Sequence, residues 1–147
     1  MRICFDMDGT IADLYGVENW LGMLREYNAD PYRLAAPMFS MNQLARLLNR
    51  LQSNGYEIGI ISWTSKTSTV EYDADIAAAK KWWLDKHLHS VKWDFIEVVS
   101  YGTDKNLVNT SPLDILFDDE TKNRETWKGV SYDEKNILET LKTLLTF

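Results

Sequence analysis

The chain has little that could hold it together covalently. Cys4 is its only cysteine, so a disulfide framework is excluded and a reducing, cytoplasmic setting is expected. Cys4 lies in an apolar run and reads as a small core residue rather than a thiol nucleophile. No apolar stretch is long enough to span a bilayer, and no basic segment leads into an apolar one at the start, so no membrane partner is expected. Basic residues are in deficit: 16 Lys and Arg face 22 Asp and Glu, a formal charge of −6. That balance disfavours nucleic acid and anionic membranes, but it leaves room for a small phosphate ester in a local basic pocket. Histidines number two, His87 and His89, and neither has a matching partner for a metal or a triad. Repeats and low-complexity tracts are absent. What remains is 147 residues, 45% hydrophobic and 26% charged, which predicts one globular domain over residues 1–147.

The apolar run Ile3-Cys4-Phe5 is cut off by Gly9-Thr10 and reads as a buried strand ending in a loop. Helical spacing predicts a helix over Ile11 to Tyr27, and Asp30-Pro31 and Pro37 predict a break over Asn28 to Pro37. Leu44, Leu47, Leu48 and Leu51 stripe a second helix, Met41 to Ser53, closed by Asn54-Gly55. Tyr56 to Ser62 is apolar enough for a strand buried on both faces. A polar loop to Asp73 precedes a helix over Ala74 to His87. Phe95 to Ser100 and Asp114 to Phe117 read as strands, and Val130 to Tyr132 as a weaker one. Glu120 to Trp127 reads as a short helix, and Asp133 as the cap of a last one reaching Leu145. The alternation predicts an α/β fold with a mainly parallel sheet and helices on both faces. Ligands bind such sheets beyond the C-terminal strand ends.

Polar residues gather at those ends. Asp6 and Asp8 follow the first strand, Ser62 the second, Lys105 the third by a few residues, and Asp118-Asp119 the fourth. An isolated Asp-x-Asp is most often a turn; four strand ends carrying residues suited to one phosphate and one Mg²⁺ favour a site. A phosphate ester repels a carboxylate nucleophile, and Mg²⁺ relieves that repulsion. The side chains of Asp6 and Asp118 and the main-chain carbonyl of Asp8 are the expected metal ligands. Asp6 is the expected nucleophile, and Asp8 the acid that protonates the leaving oxygen and then activates water. Ser62 and Lys105 would hold the phosphoryl oxygens, with Thr64 or Ser65 replacing Ser62 if the register is shifted. Asp119 and Asn123 are further candidates, as a ligand or orienting group and as a residue one helical turn beyond. Trp20, Tyr27, Tyr32, Phe39 and Trp63 could stack over the opening, but packing of the insert onto the core is the favoured reading.

This order of motifs resembles the haloacid dehalogenase-like (HAD) hydrolase superfamily. Asp6-Met7-Asp8-Gly9-Thr10 is similar to its Asp-x-Asp-Gly-Thr loop, Ile60-Ile61-Ser62 to its second motif, Lys105 to its third and Ile115 to Asp119 to the paired-Asp form of its fourth. The resemblance covers about Met1 to Trp127. It implies a Rossmann-like three-layer sandwich whose five strands run 5-4-1-2-3, and a Mg²⁺-dependent phosphohydrolase of small phosphorylated substrates. An Asp at position 8 resembles the phosphatase branch. The segment 12–40 leaves room for a small cap-like helical insert after the first strand, so the site is expected to be rather open. The chain is also loosely similar to small phage and bacterial deoxyribonucleotidase-like members, which implies a nucleoside monophosphate. The alternatives are a phosphatase of polynucleotide ends or phosphoproteins, and a non-catalytic binding protein on the same fold.

Overall fold

The computed structural model describes residues 1–146. Five strands form one parallel sheet: β1 (Arg2–Phe5), β4 (Glu57–Trp63), β5 (Phe95–Val99), β6 (Ile115–Phe117) and β7 (Val130–Tyr132). Their spatial order is β5-β4-β1-β6-β7. The numbers differ from the expected 5-4-1-2-3 because the insert adds two strands, β2 (Ala12–Asp13) and β3 (Ala36–Pro37), which pair only with each other. Counted without them, the main sheet runs 5-4-1-2-3 from the β7 edge.

Strand periodicity sorts the side chains onto two faces. Ile3, Phe5, Ile58, Ile60, Ile115 and Phe117 share one core with α3 (Met41–Ser53), the end of α4 (Val70–His87) and α6 (Ile137–Leu144). Cys4, Ile61 and Leu116 face the other way, under Val108 and Trp127. That second layer is thin, made by a 3₁₀ turn (Lys105–Val108) and α5 (Thr121–Thr126). Burial pushes the Cys4 thiol up to about 12, in keeping with a core role.

The insert differs most from expectation. The helix predicted over Ile11 to Tyr27 is replaced by β2, a 3₁₀ turn (Leu14–Gly16) and a short α1 (Trp20–Arg25). Asp13 accepts a hydrogen bond from the Gly16 amide at 3.1 Å, a local turn that competes with helix. The predicted break holds α2 (Asp30–Leu34), with Pro31 in the first turn where its missing N–H costs nothing. Leu14, Leu24, Ala29 and Tyr32 pack on Tyr72, Ile76 and Ala79 of α4. That helix starts at Val70 rather than Ala74, because Thr69 accepts from the Tyr72 amide. The last helix likewise starts later than Asp133 suggests, after Asn136 in a left-handed conformation.

No helix among the described residues is long and apolar enough to cross a membrane. Leu48 is fully buried between α3 and the sheet. Its replacement by Ala should cost roughly 2–5 kcal/mol of unfolding free energy by urea titration, with the cavity site left folded. A loss below about 1 kcal/mol would mean that α3 is not the main cover of this face.

Candidate active site

Asp6 and Asp118 occupy equivalent places in the sheet, and Thr64 stands at the end of the longer β4. Asp6, Thr64 and Asp118 are each the first residue beyond a strand. Each amide continues the ladder to a neighbouring carbonyl: Asp6 to Phe117 at 2.9 Å, Thr64 to Val99 at 2.8 Å and Asp118 to Tyr132 at 3.1 Å. The sheet therefore sets their positions through main-chain bonds, independent of side-chain rotamers. Beyond Asp6 the chain folds back, with the amides of Thr10, Ile11 and Ala12 all donating to the Met7 carbonyl. Gly9 makes that turn at φ +78°, where a Cβ would also fall 2.3 Å from the Asp119 carboxylate.

Lys105 lies between Asp6 and Asp118. Its Nζ donates to Asp6 Oδ1 at 2.9 Å and to Asp118 Oδ2 at 2.6 Å. These are its only acceptors among the described residues, which leaves one N–H for a ligand. The other Asp6 oxygen accepts from the Thr10 hydroxyl at 3.0 Å, and the Asn123 amide donates to Asp118 Oδ2 at 3.1 Å. Burial disfavours the Lys105 ammonium, but its two carboxylates outweigh that and raise its pKa.

Asp8 is held separately. Lys80, on α4, donates to Asp8 Oδ2 at 2.9 Å, to Ser62 Oγ at 2.5 Å and to the Trp63 carbonyl at 2.7 Å. Lys80 was not singled out by the sequence analysis. Its signal is positional: Tyr72, Ile76, Lys80 and Leu84 form one stripe at helical spacing, so Lys80 stands where a core residue is due. Burial raises the Asp8 pKa; Lys80 opposes it and Asp6 adds to it.

Ser62 requires a correction. Phe5 pairs with Ile60, so Ser62 falls on the α3–α4 face, opposite to Asp6. It is fully buried beneath the site, bonded to Lys80, and does not line the cavity. Thr64 does.

The cavity above these residues measures about 270 Å³. Asp6, Asp8, Lys105, Asp118, Asp119 and Asn123 line its floor. Its walls carry Tyr15, Trp20 and Tyr32 from the insert, with Leu14, Leu21 and Leu24, then Trp63 at the end of β4, and Lys66 and Tyr101 from the loops after β4 and β5. Tyr15 and Trp20 form an edge-on pair 5.0 Å apart, and Trp63 and Tyr101 a tilted pair at 4.9 Å. The expected openness is reduced by this insert wall. Tyr27 and Phe39 take no part: Tyr27 packs on Tyr72, and Phe39 packs against the main core.

Asp6, Asp118 and Asp119 offer carboxylate oxygens within 4.8 Å of one another. When ionised, these three carboxylates face one ammonium, that of Lys105, which leaves two negative charges for a cation to balance. The all-oxygen donor set suits a hard divalent ion. The Asp8 carboxylate stands apart from this cluster, tied to Lys80, whereas Asp119 joins it.

Comparison with protein-family models and with curated proteins finds no match. Among solved structures, the D,D-heptose 1,7-bisphosphate phosphatase from Burkholderia thailandensis superposes over 99% of this chain and 99% of its own, with a TM-score of 0.56 and 11% identity. At that identity the likeness is one of fold, and it bears out the expected α/β architecture with a mainly parallel sheet.

Without a cation, burial and Asp6 push the Asp118 carboxyl up to about 6, against Lys105, and burial and Asp6 push Asp119 up to about 8. The unfolded chain releases these protons first, near 3.8, so between about pH 4 and pH 8 it binds fewer protons and stability falls as pH rises. In chelator, urea denaturation should show that fall from about pH 5 to about pH 8, and a flatter profile for Asp118→Asn/Asp119→Asn. Added divalent cation should restore stability at the higher pH only in the wild type. Parallel profiles for the two proteins would show that this cluster carries no strained charge.

Proposed function

We propose that this protein is a Mg²⁺-dependent phosphomonoester hydrolase acting through an aspartyl-phosphate, with a nucleoside monophosphate as substrate. The observation that carries the reading is the convergence of Asp6, Asp8 and Lys105 on one aromatic-walled cavity at the C-terminal strand ends. The fold shared with a phosphatase supports it.

Asp6 is the nucleophile. Its carboxylate is oriented by Lys105 on one oxygen and Thr10 on the other, which leaves its remaining lone pairs to face the cavity. An Asp6 oxygen bonds to phosphorus as the ester P–O bond breaks, and Asp8 gives its proton to the leaving oxygen. The raised Asp8 pKa favours the protonated start. Asp8, now a carboxylate, takes a proton from water; the water oxygen attacks phosphorus, and the Asp6–phosphate bond breaks to return the free carboxylate and inorganic phosphate. Lys105 and the Thr64 hydroxyl hold the non-bridging oxygens as charge shifts onto them. A Mg²⁺ ion held by Asp6, Asp118, the Asp8 carbonyl and Asp119 would supply charge neutralisation in the otherwise acidic floor. Asn123 orients Asp118 for that role.

The leaving group faces the aromatic walls. Two aromatic pairs on either side of a small cavity favour a planar ring attached to the phosphate, as in a nucleotide. The insert wall and the acidic surface weigh against polynucleotide ends and phosphoproteins.

Purified protein with Mg²⁺ should release phosphate from nucleoside monophosphates with kcat/KM at least about ten-fold above glycerol phosphate, a difference of roughly 1.4 kcal/mol. Asp6→Asn should lower turnover by about a thousand-fold or more. Unchanged turnover in that variant would remove the nucleophile assignment, and a preference for glycerol phosphate would remove the nucleotide. Thr64→Val should lower kcat/KM by roughly a hundred-fold; a silent Thr64→Val would return the phosphate-binding role to another hydroxyl.

A further inference from the structure

Lys80 has no part in the steps just described, yet its ammonium is 1% exposed and makes three hydrogen bonds. A buried lysine is costly unless it is fully paired. Here every N–H has an acceptor, and the Tyr32 ring lies 5.1 Å away on the remaining side. Lys80 does not line the cavity, and its three N–H groups are taken by protein acceptors, which leaves none for a substrate. Its influence must pass through its partners.

Those partners share one property. Asp8 Oδ2 is tied down, so Oδ1 is the oxygen left to exchange a proton with the cavity. Ser62 and Trp63 are the last two residues of β4, immediately before Thr64. One ammonium thus fixes both the acid and the backbone that carries a phosphate-binding hydroxyl. The anchor is rigid, because α4 is buried at Tyr72, Ile76, Ala79 and Trp83 around it.

We propose that Lys80 is a positioning residue for proton transfer: it clamps the Asp8 carboxyl group so that Oδ1 meets the leaving oxygen. This rests on the phosphatase reading above. In the step, the Asp8 Oδ1–H bond breaks and the proton joins the leaving oxygen as the P–O bond breaks; Lys80 neither gains nor loses a proton.

Leaving groups separate this role from a packing role. A dinitrophenolate departs without a proton, whereas an alkoxide, such as the ribose oxygen of a nucleotide, needs one. The ratio kcat/KM covers the steps up to that departure and excludes hydrolysis of the aspartyl-phosphate. In Lys80→Met, kcat/KM for a nucleoside monophosphate should fall by about a hundred-fold or more, the usual scale of general-acid catalysis, while that for 2,4-dinitrophenyl phosphate falls by less than about ten-fold. Equal losses on both substrates would overturn the proposal. Lys80→Met leaves Asp8 buried without its partner and could unfold the chain, so Asp8→Asn is compared with Asp8→Asn/Lys80→Met, which removes both members of the buried pair. On 2,4-dinitrophenyl phosphate these two should agree within about three-fold, because Lys80 acts through Asp8. A further loss of about ten-fold or more in the double variant would overturn the proposal. If the wild type releases phosphate from neither substrate, the phosphatase reading falls; uniform losses in an active enzyme remove only the role of Lys80.

Discussion

A single buried ammonium, that of Lys105, is what lets Asp6 and Asp118 stand side by side. Their strands are neighbours in the sheet, and each aspartate sits at the same level past its strand end. Without a cation between them the two would repel in a medium that screens poorly. With it, the contacts of 2.9 and 2.6 Å make a compact triad. Buried ion pairs seldom add net stability over apolar packing. The triad is therefore better understood as a functional arrangement that the rest of the molecule sustains. The 3₁₀ turn over Lys105 to Val108 delivers the lysine from below the sheet, and Val108 pins that turn into the apolar layer with Cys4 and Leu116.

The second lysine extends the same device to the opposite face. Lys105 reaches the site from the thin layer and Lys80 from the thick one, and each takes one member of the Asp6-Met7-Asp8 loop. The two acids differ in environment because their counterions come from opposite sides of the sheet. Each lysine also lies near an aromatic wall of the cavity: Lys105 is 5.2 Å from the Trp63 ring and Lys80 is 5.1 Å from Tyr32. The insert is joined to this system, since the Tyr72 hydroxyl on α4 donates to the Asn28 carbonyl at 2.8 Å. A displacement of the insert would act on α4, and through α4 on Lys80.

Much of the architecture was legible because strand ends announce themselves. Apolar runs stopped by Asp, Gly or Thr mark Asp6, Asp8 and Asp118 as residues at strand ends. Lys105 was legible from its place between two strands. Ser62 was not, since the sequence does not show where the strand ends: β4 runs one residue past Ser62, to Trp63, and the first hydroxyl beyond it is that of Thr64. A shift of two residues separates the buried Ser62 from Thr64 at the cavity. Lys80 was hidden for another reason: α4 carries polar residues on every side, so its buried stripe stands out poorly until the packing is known. The missing helix over Ile11 to Tyr27 reflects tertiary context overriding local spacing. Ala12 and Asp13 pair with Pro37 and Ala36, and that pairing competes with the first turns of a helix.

That two-rung ribbon has a wider consequence. Ala12 pairs with Pro37, and the Met38 amide donates to the Ile11 carbonyl at 2.9 Å, so the chain leaves and re-enters the core at one stitched point. Whatever lies between the stitches can change length at a closure cost that grows only logarithmically. The acidic floor and the rings that the insert brings to the wall therefore come from separate segments of chain. Segments of different size and polarity could be exchanged between residues 13 and 36 to give the same strand ends a different guest.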